Sequence, residues 1–481
     1  MNRFSTRLAF VASLAGLSWT AAPGPWARTL DRRGAIALAL AQNPQIAAAR
    51  AEEAVLEAQR AQVRAAHLPA ITLDIGVAPS DIATLIPGTD ESVQQQYHIK
   101  WSELSAVFLG NLTAIQPLYT FGKIALRGEA ALAGLRARQA QTRMKQADVA
   151  FAVAQLYEGL LYARDAERFF HEIDHWLAKT LEGTEDRLEH HAGKVSERDV
   201  LRLQSAQGLS AMGVNDARAA EAEAKAGLAA YLGLPSDESV EVSEDELLPV
   251  GSLPRDVADL SRLAGDHRPE LTALREGHKA LWALGRAEAA GYLPNFYLLG
   301  FVNVAYTPGR DWVENRFIVD PLNHFAPGVV VGARWQLQGA MSGARADEQR
   351  AHADVLAHLG NWAEEGIPAE VRKAYETVRR GDQDIERGEE AVKKSKQWMV
   401  ESSADYDVGL LDIREVSDAV TSYVTLRTAL LQARYDRNVG MADLSRATGT
   451  LDGDAKIFYL EPPPPAAAPV PPPPAAGPVK P

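Results

Sequence analysis

Between Tyr292 and Gln338 the chain alternates apolar and polar positions: Val331, Ala333, Trp335 and Leu337 interleave with Gly332, Arg334, Gln336 and Gln338. A period of two with one apolar and one polar face predicts a β-hairpin, with strands at about 295–306 and 328–338. An earlier pair follows the same rule, because Ile71, Leu73, Ile75 and Val77 alternate with Thr72, Asp74 and Gly76; its strands are expected at about 71–79 and 104–118. Elsewhere the period is helical. Val149, Val153, Leu156 and Leu160, then Phe170, Ile173 and Leu177, recur at steps of three and four, the spacing of coiled coils.

The pattern occurs twice. Pro44 and Pro69 bracket one helical run and Pro269 and Pro294 another, both 25 residues apart, while Gly193 precedes Gly233 and Gly409 precedes Gly449 by 40. The halves are therefore repeats. Each reads as a helix of about 35 residues (30–67; 256–291), two strands around a long loop, a helix of 60 to 70 residues (123–191; 343–404), a glycine turn, and a helix of about 35 residues (198–232; 414–448). At ~1.5 Å per residue two short helices end to end match one long one, so the helices are expected to pack lengthwise into a tube. The repeats span 28–233 and 257–451, and the acidic stretch 234–256 between them reads as a solvated connector.

Nine of the 34 aromatic residues fall within Tyr292–Gln338, an enrichment expected of strands that cross a membrane interface. Residues 1–27 have the form of a secretory signal: Arg3 and Arg7, the apolar run Leu8–Leu17, and small residues at Ala22 and Ala27. No later apolar stretch is long enough for a transmembrane helix. Cysteine is absent, which excludes disulfides and a lipid-bearing cysteine, so a membrane location would rest on the strands. The net charge of −13 argues against a nucleic-acid partner. Four strands per chain cannot close a spanning barrel, since known ones begin at about eight. An open sheet would leave unpaired backbone groups in hydrocarbon. Strands that enter a membrane thus predict an oligomer.

The layout resembles the TolC-like outer-membrane efflux proteins from Thr29 to about Leu451. The resemblance is carried by Asn43-Pro44, Gln116-Pro-Leu-Tyr-Thr-Phe-Gly122, Gly193 to Leu201, Leu228-Ala-Ala-Tyr-Leu-Gly-Leu-Pro235, Tyr406-Asp-Val-Gly-Leu-Leu-Asp-Ile-Arg-Glu-Val-Ser-Asp418, Ala433-Arg-Tyr435 and Ala447-Thr-Gly-Thr-Leu451. It implies a mainly α fold with a small β part. In it a coiled-coil-like helical barrel in the periplasm continues into a transmembrane β-barrel shared by a homotrimer in the outer membrane. It also implies a passive exit duct for efflux or type I secretion, opened when a periplasmic adaptor and an inner-membrane pump dock, without a catalytic residue or a cofactor.

By the same resemblance the periplasmic mouth lies at the turns marked by Gly193 and Gly409, where acidic residues held by a tyrosine and an arginine form a constriction. Tyr406 takes the tyrosine's position, and Glu415 and Asp418 take the acidic ones; Leu411 stands where the arginine belongs, with Arg414 near it. A ring of carboxylates would favour cations. Ser196-Glu-Arg-Asp199 and Asp412-Ile-Arg-Glu415 also have capping-box form, which gives Asp199 and Glu415 a structural role as helix caps beside the pore role. Asp418 lies one turn further in, beyond a cap.

His171-Glu-Ile-Asp-His175 fits a zinc-protease pattern, but His190 and His191 lie roughly 22 Å further along the same helix, so a third ligand is missing. A solvated or packed helix face is the expectation. Residues 452–481 end in a Pro/Ala-rich run from Pro462, expected as an extended disordered tail. The competing class is a soluble periplasmic coiled-coil scaffold or adaptor whose hairpins are small soluble domains.

Overall fold

The computed structural model describes residues 28–85, 97–191, 195–235, 240–253, 256–312, 320–451 and 459. The expected leader at 1–27, Gly193 and the proline-rich run from Pro462 lie outside them. In chain order the elements are β1 (Arg28–Leu30), α1 (Arg32–Gln42), α2 (Pro44–Ala65), β2 (Ala70–Leu85), β3 (Tyr97–Tyr119), α3 (Lys123–Glu189) and α4 (Glu197–Leu232). Then follow β4 (Val240–Val242), α5 (Val257–His267), α6 (Pro269–Ala289), β5 (Asn295–Tyr306), β6 (His324–Arg334), α7 (Gly339–Asp407) and α8 (Ile413–Ala447). The fold is mainly α with a small β part, and helix, strand, strand, long helix, helix occurs twice.

The helices expected over 30–67 and 256–291 are each two. A residue before proline is pushed to extended backbone: Asn43 has φ −60° and ψ 126°, and Arg268 φ −63° and ψ 118°. Pro44 and Pro269 then restart a helix at its first position, where a missing N–H costs nothing. Asn43 makes the first break useful. Its Oδ1 accepts from the Gln45 and Ile46 amides (2.8 and 3.3 Å) and its Nδ2 donates to the Tyr231 carbonyl (2.8 Å). One buried side chain thus caps the start of α2 and the end of α4.

The two ends abut. Gly233 ends α4 at φ 69°, and a Cβ there would come within 2.8 Å of the Gln42 carbonyl oxygen; Gly449, past α8 at φ 72°, meets His267 as closely. So α4 stacks on α2 and α8 on α6, the end-to-end arrangement that the lengths suggested. Alongside, α2 packs on α3, α3 on α6 and α6 on α7. β2, β3, β5 and β6 form one antiparallel sheet in that order. Helical layer and sheet therefore share one lateral order.

The strands differ from expectation in extent. β2 and β3 run on to Leu85 and back to Tyr97, into what was expected as loop, and β6 ends at Arg334 rather than Gln338. At that end the Trp335 indole donates to the Tyr292 carbonyl (2.7 Å), which pulls the chain out of the alternation.

The connector is not solvated. β4 pairs in parallel with β1, and Leu247 and Val250 are buried in a core with Tyr157, Leu160, Leu161, Leu228 and Met441. Glu158, fully buried on α3, organises this waist. It accepts from Arg32 of α1 (2.6 Å), Asn438 of α8 (2.8 Å) and Tyr459. Burial, then the Glu158 carboxylate, hold the Tyr459 hydroxyl well above the ordinary tyrosine range, so it stays a donor. Tyr459 belongs to the stretch expected as tail, yet its ring is part of this core.

Asn43→Ala removes the shared cap at a cost of about 1–2 kcal/mol. Amide exchange measured by mass spectrometry is expected to quicken roughly tenfold at both residues 44–48 and 229–233. Quickening at only one of these ends would contradict a shared cap.

Candidate functional site

The sheet has two unlike faces. In-register rows Ile71–Ala114–Gly300–Val329, Leu73–Leu112–Val302–Pro327 and Ile75–Gly110–Val304–Phe325 cross it on one side without a charge or an amide side chain. Ile71, Ile75, Val329 and Val331 there are 67, 77, 74 and 70 % exposed. The opposite side carries the rows Thr72–Thr113–Phe301 and Asp74–Asn111–Asn303, with His324 hydrogen-bonded to Asn303 (2.5 Å). Phe301 and Tyr297 lie over Gly328 and Gly332 of the neighbouring strand, where any side chain would collide with their rings. Such cover of bare strand glycines by aromatics fixes register.

Leaving each large apolar side chain in water forgoes roughly 1.5–3 kcal/mol. From Ile71 to Val77 the apolar positions of β2 rise about 20 Å at ~3.3 Å per residue, near the ~25 Å of a transmembrane barrel's band. β2 and β6 each have one neighbour, so both edges of the sheet are open. Beyond the β5–β6 tip, buried Asp320 pairs with Arg310 (2.8 and 3.2 Å) and accepts from the Leu322 amide, and Thr307 donates to the Leu322 carbonyl (2.7 Å).

At the far end of the long helices Tyr406 is buried among Leu177, Met399, Ile413 and Val416. Its hydroxyl lies 3.3 Å from Thr184 Oγ1 of α3. The Arg187 guanidinium stacks 4.4 Å from the Tyr406 ring centre, donates to the Tyr406 and Asp407 carbonyls (3.1 and 3.4 Å), and lies 3.5 Å from the Asp407 carboxylate. A cation on the last carbonyls of α7 also suits the helix dipole. The arginine beside the tyrosine thus comes from α3, not from the Leu411–Arg414 stretch; Leu411 and Arg414 are exposed. Sequence reasoning missed Arg187 and Thr184 because the contact spans about 220 residues. The only local signal is a basic residue in the last turn of α3.

Gly409, at φ 76°, turns the chain into α8. Asp412 caps α8 through the Arg414 amide (2.9 Å), while Glu415 and Asp418 are exposed, away from buried Ile413, Val416 and Ala419. They begin one exposed stripe: Glu415, Asp418, Thr421, Thr425, Ala429, Gln432 and Asp436. It holds three carboxylates, and exposed Arg414, four residues before Asp418 on the same side of α8, sets one cation against them. Asp199 has a different setting, its carboxylate accepting from the Ser196 amide (2.8 Å) and hydroxyl (2.9 Å) in a capping box. The structure therefore groups Tyr406 with Arg187, and Glu415 with Asp418, and commits Asp199 to the start of α4. His171 and His175 lie on the exposed face of α3, and His171 Nε2 accepts from Arg218 (3.0 Å).

An open amphipathic sheet continued by a layer of long helices is the arrangement that the resemblance to outer-membrane efflux proteins leads one to expect. Comparison with known proteins agrees. The family model for "Outer membrane efflux protein" matches residues 35–234, nearly the whole first repeat. The structure is similar to the outer-membrane channel OprN (20 % identity, TM-score 0.69, covering 87 % of this chain and 90 % of that one). It is also similar to the CmeC outer-membrane channel of Campylobacter jejuni (15 %, 0.70, 94 % of each) and to the open state of the MtrE channel of Neisseria gonorrhoeae (19 %, 0.66, 87 % and 89 %). No curated protein sequence matches the chain. The first repeat thus carries the outer-membrane efflux signature, about nine-tenths of the chain shares the fold of these channels, and the resemblance to the TolC-like outer-membrane efflux proteins stands.

Arg187→Ala frees the end of α7 from α3. With charge-assisted hydrogen bonds worth about 1.5–3 kcal/mol, amide exchange over residues 404–412 is expected to rise more than tenfold while residues 150–165 are unchanged. Unchanged exchange at 404–412 would show that Arg187 does not hold this end.

Proposed function

We propose that three copies of this chain close a twelve-stranded barrel in the outer membrane and a helical tunnel beneath it, forming the passive exit duct of a tripartite efflux or type I secretion system. The open edges of a one-sidedly apolar sheet carry this reading. In hydrocarbon each unpaired backbone group costs several kcal/mol, and closure by further copies pairs them all. The helical layer has matching edges. On the free side of α2, exposed Ala47, Ala51, Ala54, Ala58, Ala61 and Ala65 recur at steps of four and three, spacing that lets another helix approach closely. On α7, Val355 and Trp362 are 54 and 71 % exposed.

The turn between α7 and α8 is the proposed periplasmic mouth. Glu415 and Asp418 ring it with six carboxylates, and Arg187 and Tyr406 hold it shut by tying α7 to α3. Exposed Val408, Leu410 and Leu411 beside Gly409 give a periplasmic adaptor an apolar tip to grip, and its docking with the inner-membrane pump opens the mouth. The duct performs no chemistry. Cargo passes outward along the polar stripe of α8.

The test is the mass of the detergent-solubilised species and its conductance in planar bilayers. A trimer with small, cation-selective conductance is expected; Glu415→Ala with Asp418→Ala raises conductance and weakens selectivity, and Arg187→Ala raises the open fraction. A water-soluble monomer or dimer without pores would overturn the duct and leave a soluble periplasmic scaffold.

A further inference from the structure

A groove of about 720 Å³ runs between α3, α6 and α7 and ends at α8. Its volume lies in the range of small-molecule sites, a few hundred to roughly 1,000 Å³. Met144, Leu274, Leu359, Trp362 and Ile367 make an apolar wall. Arg268, Glu270, Glu370, Lys373 and Arg446 supply the charge, three cations against two carboxylates.

The charges are not all matched. Arg268, 7 % exposed, donates to Glu370 (2.5 Å), and Arg446 is held by Asp443 (2.7 Å). Arg268 Nε and Glu270 Oε2 form an ion pair at 3.3 Å without a hydrogen bond, so the hydrogen-bonding capacity of both buried atoms is unmet. The Lys373 ammonium has no acceptor among the described residues. Buried polar atoms without partners cost about 1–3 kcal/mol each, which a ligand could recover here.

Arg446 also locates the groove. Asp418, Asp436 and Asp443 fall within about 20° of one line of α8 at about 100° per residue, and Arg446 lies about 80° around the helix from Asp418. The groove thus borders the α8 face assigned above to the duct, on which this inference rests. We infer that it is a binding site in the duct wall for amphipathic organic anions. The apolar body lies against Trp362 and Met144, the anionic group faces Lys373 and Arg268 Nε, and a hydroxyl or amine on the ligand can donate to Glu270.

The lack of cysteine makes the test clean. Ala369, exposed in the groove, is replaced as Ala369→Cys in the full chain and labelled with a sulfonated maleimide, with 2-naphthoate as the probe and 2-naphthylmethanol as its neutral counterpart. Naphthoate is expected to slow labelling and to bind at least tenfold more tightly than the alcohol. Lys373→Glu and Met144→Ala should each weaken it at least tenfold, with the mass and conductance of the assembly unchanged. Equal protection by acid and alcohol, or none, overturns the site. So does a thiol that is unreactive in the assembly but reactive in the dissociated chain, because a second copy would then fill the groove. One chain builds the whole groove, so binding is read even from a preparation that forms no pore, and the two readings fail separately.

Discussion

A β-sheet in hydrocarbon must pair every backbone N–H and C=O, and this requirement governs the whole molecule. The sheet of β2, β3, β5 and β6 meets it internally and leaves it unmet at both edges, while its apolar rows make water the wrong solvent for one face. The proposed assembly of copies would resolve both conditions at once. Each strand of the sheet leads into or out of a helix, so the helical layer inherits the lateral order of the sheet and the same unfinished edges.

The helices solve a second problem, that of length. Long α3 and α7 need neighbours along their whole extent, and no other helix matches them alone. Stacking α4 on α2 and α8 on α6 supplies those neighbours, at the cost of two helix ends facing each other in a packed layer. Asn43 meets that cost in the first repeat by serving both ends, and the left-handed Gly233 and Gly449 allow the close approach. The breaks fall at the waist, where Glu158 gathers α1, α8 and the chain beyond it around α3. A waist fixed by buried hydrogen bonds, and a far end where the Arg187–Tyr406 contact joins an apolar cluster, suit the proposed duct, which moves only at its mouth.

Much of this was legible in the residues. The period of two at Ile71–Val77 and the steps of three and four on α3 name their elements, because burial on one face dictates each spacing. The repeats were legible from Pro44, Pro269, Gly233 and Gly449, residues whose backbone geometry admits few alternatives. The misreadings have physical causes. The runs that Pro44 and Pro269 open were merged into helices from 30 and 256, although the residue before proline cannot stay helical without strain. The connector's charge hid Leu247 and Val250, two apolar side chains too few to show a period. Arg187 could not be placed at the mouth because stacking on Tyr406 depends on how two distant helix ends meet.

The most direct test of the central claim is a double-cysteine scan that pairs position 72, 74 or 76 on β2 with 326 or 330 on β6. Within one chain β3 and β5 lie between these strands, which puts them about 14 Å apart. A disulfide needs Cα atoms within about 7 Å, so any bond formed must join two copies. Oxidation in outer-membrane preparations is predicted to give, at one register, covalent dimers and a closed covalent trimer. Failure of every pair to cross-link, in protein whose cysteines remain reactive, would contradict a barrel shared between chains.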